Sequence, residues 1–406
     1  MHDAHAAAPL LPPRRELFLL LTLAGIQFTH ILDFMIMMPL GPQLTSAFSI
    51  SDAQFGLLVS AYTFSAGLSG LLASTYIDRF ERRKLLLSLY ALFALATLAC
   101  GLAPSYEGLM TARIAAGVFG GILSAMIQTI VADVIPFARR GKAMGIVMTS
   151  FSVSTVMGVP LGLYIAAQAD WHMPFFAIAG LSVLLAVAGW LVIPSLHGHL
   201  ARNAGAHALQ GIVNVLKDSN HLVAFCFSFS MIFAGFSIIP YITIYMQTNA
   251  GVLPSQIPVI YLVGGAATLF SAQFIGRWSD RVGKLKVLQR VAGIAVLPML
   301  LITVSAGLPL WAILIITTLF FVFVSGRMIP GMALVSAAAN PAYRGTFMTL
   351  NSSMQSAAMG LAALIGGHLI ARSPEGLIQN FWLCSLIAIV FNLLALVIAR
   401  HIRVYQ

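Results

Sequence analysis

Charge is scarce in this chain. Asp, Glu, Lys and Arg make up only 8% of its 406 residues, about a third of the roughly 25% found in soluble domains. With 59% hydrophobic residues and a mean hydropathy of +0.93, there is too little polar surface to coat a globule. A soluble enzyme and a disordered chain are excluded on that ground. Cysteine is also rare. Cys100, Cys226 and Cys384 lie far apart in apolar runs, which excludes a disulfide scaffold and reads as buried small hydrophobes. There is no G-x-x-x-x-G-K-[ST] stretch, so direct ATP drive is not expected. What remains is a polytopic membrane protein.

Apolar runs between charge and turn clusters predict twelve spans, near 17–41, 55–77, 84–104, 108–132, 142–167, 173–194, 221–247, 256–278, 287–306, 310–335, 346–371 and 378–399. Each is long enough for a helix to cross about 30 Å of hydrocarbon. The run after Arg14 and Arg15 is too long for a signal-peptide core, so the first span reads as an uncleaved anchor. Trp171, Trp311 and Trp382 near one set of span ends, and Trp278 near the other, fit interfacial aromatic belts.

The net charge of +10 does not imply nucleic acid, because the cations are spread over several loops without a stacking platform. Of the 22 Lys and Arg, 19 fall at the termini and even-numbered connections; Arg372 alone lies on the opposite face, and Arg113 and Arg327 fall inside spans. This asymmetry places the cation-rich face, with both termini, in the cytoplasm. The longest polar connection, 195–220, reads as a solvated linker between a bundle at 1–194 and another at 221–406. Its His197, His199 and His207 lack the company of Cys or carboxylate that a metal site needs.

The halves repeat each other. Asp78-Arg79 after span 2 matches Asp280-Arg281 after span 8, and Lys84 matches Lys286, at an offset of 202. Arg140-Gly141 matches Arg344-Gly345 at 204. Duplicated halves with a site between them are a transporter architecture. The loop pattern G-x-x-x-D-R-x-G-R-K resembles the signature of the major facilitator superfamily. Gly276, Asp280, Arg281, Gly283 and Lys284 match it. In the first half Ser74 and Glu81 stand where glycines are usual, while Asp78, Arg79, Arg82 and Arg83 keep the charged frame. Arg113–Gly121, RIAAGVFGG, resembles the fourth-span arginine motif of proton-coupled members. Met157–Gly162, MGVPLG, resembles the fifth-span motif of antiporters, and Leu32–Pro42 the first-span motif of twelve-span drug:proton antiporters. The implied fold is all-α, with twelve transmembrane helices in two pseudo-symmetric six-helix bundles.

Ionisable groups inside spans are costly, about 2.5–3.5 kcal/mol each on insertion scales, and commonly mark ion or substrate pathways. Asp33 lies nine residues before Pro42, ~13 Å below the span end. Arg113 lies six residues after Glu107, ~9 Å in from the same side. The resemblance puts spans 1 and 4 beside one cavity, so Asp33 and Arg113 are expected to pair. A carboxyl in a dry cavity takes up a proton more readily, and a neighbouring guanidinium opposes this; their separation would exchange a proton. A static pin between spans is the alternative. His30, one helical turn before Asp33, is expected to relay a proton or hydrogen-bond the carboxylate, or else simply to line the cavity. His368 reads as a satisfied buried histidine.

Substrate-cavity candidates are Tyr241 and Tyr245, which share a helical face, with Asn351 and Gln355 in span 11; interfacial anchoring is the alternative for the tyrosines. Arg327 lies too close to the cation-rich face to be the counterpart of Arg113. It is read either as a substrate contact or as a donor to backbone carbonyls. Asp78 and Asp280, with Arg79 and Arg281 beside them, are gating candidates because a carboxylate at a span end can cap a neighbouring helix; the resemblance implies that Asp78 caps span 11 across the interface. It also implies a pair between Asp133 and Arg82 or Arg83, and a seal of Gly158, Pro160 and Gly162 against span 8.

The expected function is secondary transport at the inner membrane: export of a small organic compound (drug, sugar or metabolite) in exchange for protons. The proton gradient replaces any cofactor, no metal is involved, and the lipid-embedded protein is monomeric. A proton symporter or facilitator importing a nutrient is the alternative. A membrane-embedded enzyme or a receptor matches the duplicated loops poorly.

Overall fold

The computed structural model describes residues 12–73, 80–196, 208–340 and 343–404. Asp78, Arg79, His197, His199 and His207 lie outside them. Among the described residues, eleven spans are long and apolar enough to cross a membrane. In the first half these are span 1 (Pro13–Ile36), span 2 (Asp52–Ala73), span 3 (Arg82–Gly101), span 4 (Tyr106–Val131), span 5 (Ala143–Gln168) and span 6 (Met173–Val192). In the second they are span 7 (Ser219–Thr248), span 8 (Pro254–Val282), span 9 (Lys284–Ile302), span 10 (Leu310–Ala337) and span 12 (Phe381–Ala399). Span 11, Arg344–Leu369, is 26 residues long. It packs along span 2 of the other half.

The pseudo-symmetry is visible in the packing. In the first half span 1 packs on spans 5 and 6, span 4 on spans 2 and 3, and span 3 on span 6. Adding six to each number gives the pairs of the second half: 7 with 11 and 12, 10 with 8 and 9, and 9 with 12. The halves meet where span 2 packs on span 11 and span 5 on span 8, two seams exchanged by the same operation.

Proline and π-turns bend several spans. In span 5 the π-helical turn Ser154–Gly158 precedes Val159–Gln168, with Val159 N–H bonded five residues back to Ser154 O. This wider turn sits just ahead of Pro160, which has no N–H to give to the residue four before it. Span 7 breaks at the 3₁₀ turn Ile239–Tyr241, which contains Pro240. Span 10 breaks at Arg327, between Leu310–Gly326 and Met328–Ala337.

Several expectations are corrected by packing. The connection between the halves is not wholly solvated: Ala208–Lys217 is helical, Val215 is buried, and Asn214 Nδ2 donates to Tyr343 Oη at 3.1 Å. Cys226 is exposed, whereas Cys100 and Cys384 are buried. Trp171 is buried and packs edge-on to Phe48, so only Trp311 and Trp382 present exposed rings among the three on that side. His368 is exposed, with its Nδ1 2.8 Å from Leu364 O.

Candidate functional site

Polar side chains of span 1 bond to spans 3 and 4. Gln27 Nε2 donates to Ser124 Oγ at 3.0 Å. Thr29 Oγ1 lies 2.9 Å from Tyr90 Oη. One turn on, Arg113 Nη1 lies 2.9 Å from Asp33 Oδ2 and donates also to Asp33 O at 3.3 Å. Both side chains of this ion pair are fully buried.

The pair is not saturated. Asp33 Oδ1, Arg113 Nε and Nη2, and the nearby Thr97 Oγ1 are buried without hydrogen-bond partners among the described residues. Leaving such groups unpaired in a dry core is expensive. The guanidinium is partly compensated by an aromatic face, its central carbon lying 4.4 Å from the centre of the Tyr62 ring.

The glycines of RIAAGVFGG bring that ring into place. A Cβ at Gly117 would stand 2.4 Å from Tyr62 O and 2.1 Å from Ser65 Oγ, and one at Gly121 2.2 Å from Ala66 O. Span 4 therefore presses its backbone against span 2, as small residues allow. Gly120 makes room for Tyr62 Oη and the His30 ring.

His30 does not bond the carboxylate. Its Nδ1 lies 2.9 Å from Tyr62 Oη, and its ring stands edge-on to Phe93. Phe34 stacks on Tyr62 at 5.4 Å and on Phe236 of the second half at 6.1 Å. The aromatic chain from the Arg113 guanidinium thus crosses from one bundle to the other. Tyr62, Phe34 and Phe236 were not singled out in the sequence, where an aromatic in an apolar span carries no distinguishing signal.

The expected substrate-cavity residues are not brought together. Tyr241 is fully buried and its hydroxyl donates to Ala363 O in span 11. Tyr245 packs on Phe381, ring centres 4.9 Å apart. The two tyrosines lie one helical turn apart just after the break at Pro240, and both are buried in the protein interior. Arg327 bonds Asn392 Oδ1, Met231 O at 2.9 Å and Val324 O at 3.3 Å. Asn392 Nδ2 in turn donates to Ala292 O at 2.8 Å. Arg327 is therefore a tie between spans 7, 9, 10 and 12, and its donors are turned to protein. Asn351 is buried with Oδ1 unpartnered; Gln355 Nε2 lies 3.3 Å from Met332 Sδ.

The gating candidates also divide. Arg82 Nε lies 3.3 Å from Asp133 Oδ2. Arg83 instead bonds the Trp190 carbonyl and lies over its ring. Asp280 pairs with Lys284 one turn on, so its partner belongs to its own half, and Arg281 is exposed. Gly158 and Gly162 face span 1, not span 8: a Cβ would stand 3.0 Å from Leu32 and 2.8 Å from Ile36, respectively. The close approach of spans 5 and 8 is made by Gly265, whose Cβ would lie 3.0 Å from Thr155 O and Val156 Cα.

Comparison with known proteins agrees with this architecture. A family model described as Major Facilitator Superfamily matches residues 23–363 and 224–403. The uncharacterized MFS-type transporter YceJ of Bacillus subtilis (strain 168) is 27% identical over 363 residues, 88% of this chain and 90% of that protein. A probable sugar efflux transporter of Helicobacter pylori (strain G27) is 26% identical over 58% of this chain and 59% of its own. Among solved structures, a bacterial homologue of the human lysosomal transporter Spinster, inward-facing and occupied, matches with a TM-score of 0.75 at 15% identity over 97% of both chains. A D-xylose-proton symporter matches at 0.72 and 15% identity, covering 94% of this chain and 96% of that one. With twelve crossings in two halves related by one operation, and a family match over most of its length, the chain is a multi-pass membrane protein of the major facilitator superfamily.

Proposed function

We propose that the protein is a proton-coupled efflux carrier in which the Asp33–Arg113 pair exchanges the coupling proton. The supporting observation is the pair itself: a carboxylate and a guanidinium, both fully buried, with three of their polar atoms unpartnered. A pair serving only as packing would be replaceable by apolar side chains at no loss of stability. Here Arg113 is the counter-charge of the carboxylate, and a movement that parts the two would let Asp33 trade that partner for a proton. Binding at the face between the bundles and proton occupancy then compete or cooperate through that movement.

In this reading residues 1–194 and 221–406 are the bundles that rock about the midplane, and 195–220 joins them. The cation-rich face with both termini is cytoplasmic, the membrane is the inner one, and the working unit is a monomer needing no cofactor beyond the proton gradient. The cargo is a small organic compound. The Helicobacter relative's printed name makes sugars the first class to try.

The test uses purified protein in liposomes with an imposed pH gradient and a panel of radiolabelled sugars and lipophilic drugs. Movement of a compound against the proton flux, lost in Asp33→Asn, is the expected result. Movement with the proton flux supports import instead, and undiminished coupled transport by Asp33→Asn removes this residue from the mechanism.

A further inference from the structure

On the cation-poor face the two halves are joined by a second ion pair. Asp52, the first residue of span 2, is 4% exposed and accepts from both Nε and Nη2 of Arg372, each at 2.8 Å. This is the two-pronged carboxylate–guanidinium geometry that adds direction to charge. Arg372 is the lone cation among the connections of that face.

The arginine is presented by a built support. It sits in the two-residue strand Ala371–Arg372, paired antiparallel with Ile378–Gln379. The hairpin is anchored to the end of span 7: Asn249 Nδ2 donates to Ile378 O at 2.8 Å, and Ile378 N–H to Asn249 Oδ1 at 2.9 Å. Arg372 therefore reports the position of the second half, and Asp52 that of the first.

Beneath the ion pair runs a neutral seam between spans 2 and 11. A Cβ at Gly367 would stand 2.7 Å from Asp52 O, and one at Gly56 2.7 Å from Ala363 O. Ser60 Oγ donates to Gly360 O at 2.8 Å, and Ser353 Oγ to Gly67 O at 2.9 Å. Such backbone contacts are short but carry no net charge, and parting them exposes only groups that water readily solvates. The ion pair is the one charged bond spanning the halves along this seam among the described residues.

We infer that Asp52 and Arg372 form the latch that holds the cation-poor side shut, and that they part when the carrier opens to that side. The inference rests on the carrier reading only in that the halves separate; it is independent of which residue carries the proton.

Ser60 is fully buried about 12 Å below Asp52 along span 2, so a thiol placed there reports opening of the seam. The full-length Ser60→Cys protein in liposomes, with no gradient and no cargo, is treated with N-ethylmaleimide, a permeant reagent that makes the orientation of the protein immaterial. Modification is quantified at residue 60 by peptide mass, with buried Cys100 as an internal measure of folding. Arg372→Gln and Asp52→Asn should each accelerate modification roughly three- to tenfold. The double variant should match a single one, because the bond can be lost only once. Arg372→Lys, which keeps the charge and loses the fork, should fall between. Unchanged rates, multiplied effects in the double variant, or a parallel rise at Cys100 would overturn the latch. None of these outcomes bears on Asp33, and loss of coupling in Asp33→Asn does not bear on the latch.

Discussion

Glu81 and Gly283 occupy the same position in the two halves, 202 residues apart, and start the following span by opposite means. The Glu81 carboxylate accepts from Arg83 N–H at 3.1 Å and Lys84 N–H at 2.9 Å, capping span 3. It also accepts from Leu196 N–H at 3.1 Å, fastening the chain beyond span 6. Gly283 instead turns the chain with φ +105° and ψ 141°, a conformation open to glycine. The departure of the first half from the family's loop pattern is thus a functional exchange of a backbone device for a side-chain cap.

That exchange has an asymmetric cost. Glu81→Ala should lower stability by about 1–2 kcal/mol through the lost cap. Gly283→Ala should cost about 1–3 kcal/mol from backbone strain alone, since nothing lies within 4 Å of the added Cβ. Thermal unfolding of the two variants in detergent checks both, and a neutral Gly283→Ala would show that the loop relaxes freely.

Gly117 sets the distance between spans 2 and 4. Its Cβ has backbone of Tyr62 at 2.4 Å, so Gly117→Ala must push the spans apart and lift the Tyr62 ring from Arg113. Tyr62→Phe keeps the ring and removes only the His30 bond. Gly117→Ala should therefore cut coupled transport at least about tenfold, where Tyr62→Phe costs a few-fold. Initial rates in proteoliposomes compare them; equal losses would assign the effect to the hydroxyl.

Arg327 is expected to act on stability rather than on cargo. Asn392→Ala removes the acceptor of one guanidinium nitrogen and the donor to Ala292 O. The change should destabilise the second half by about 2–4 kcal/mol while leaving KM for transport unchanged in the folded fraction. Unfolding midpoints together with KM test this, and a selective rise in KM would return Arg327 to the cargo site.

The latch should be indifferent to alkali. Hydrogen bonds from Arg372 to Asp52 push the guanidinium further up from its already high ordinary value. A raised value stabilises the closed state below the ordinary one and is lost only as pH climbs through the raised one. Both lie far above the physiological range. N-ethylmaleimide modification at Ser60→Cys, corrected for thiol ionisation, should stay flat between about pH 7 and 9. A steep rise over that range would show that another group controls the seam.

The sequence revealed the architecture because lipid enforces long apolar runs and a lopsided cation count. It revealed Asp33 and Arg113 because charge within such runs stands out. It did not reveal Tyr62, Phe34 or Gly265, whose roles depend on which way an apolar face turns. The inward packing of Tyr241 and Tyr245, against Ala363 O and Phe381, was hidden for the same reason: a spacing of four gives a shared face but not what that face meets. Asp52 was hidden at a span end, where an acid costs little and needs no explanation. Arg372 carried the available signal, as the lone cation on its face.

Stability and coupling are separable at the buried pair. Asp33→Asn leaves the Arg113 charge in a dry site with its carboxylate gone, which should cost about 3–5 kcal/mol. Arg113→Met alone strands the acid, which can escape by binding a proton, so its penalty should be smaller. The double variant Asp33→Asn, Arg113→Met removes both charges and should recover most of the lost stability. It should recover none of the proton coupling, because no titrating group remains in the pair. Unfolding midpoints and proton-driven flux measured on the three proteins test this. Recovered flux in the double variant would mean that the pair serves to pin span 1 to span 4 and that the coupling proton rides elsewhere.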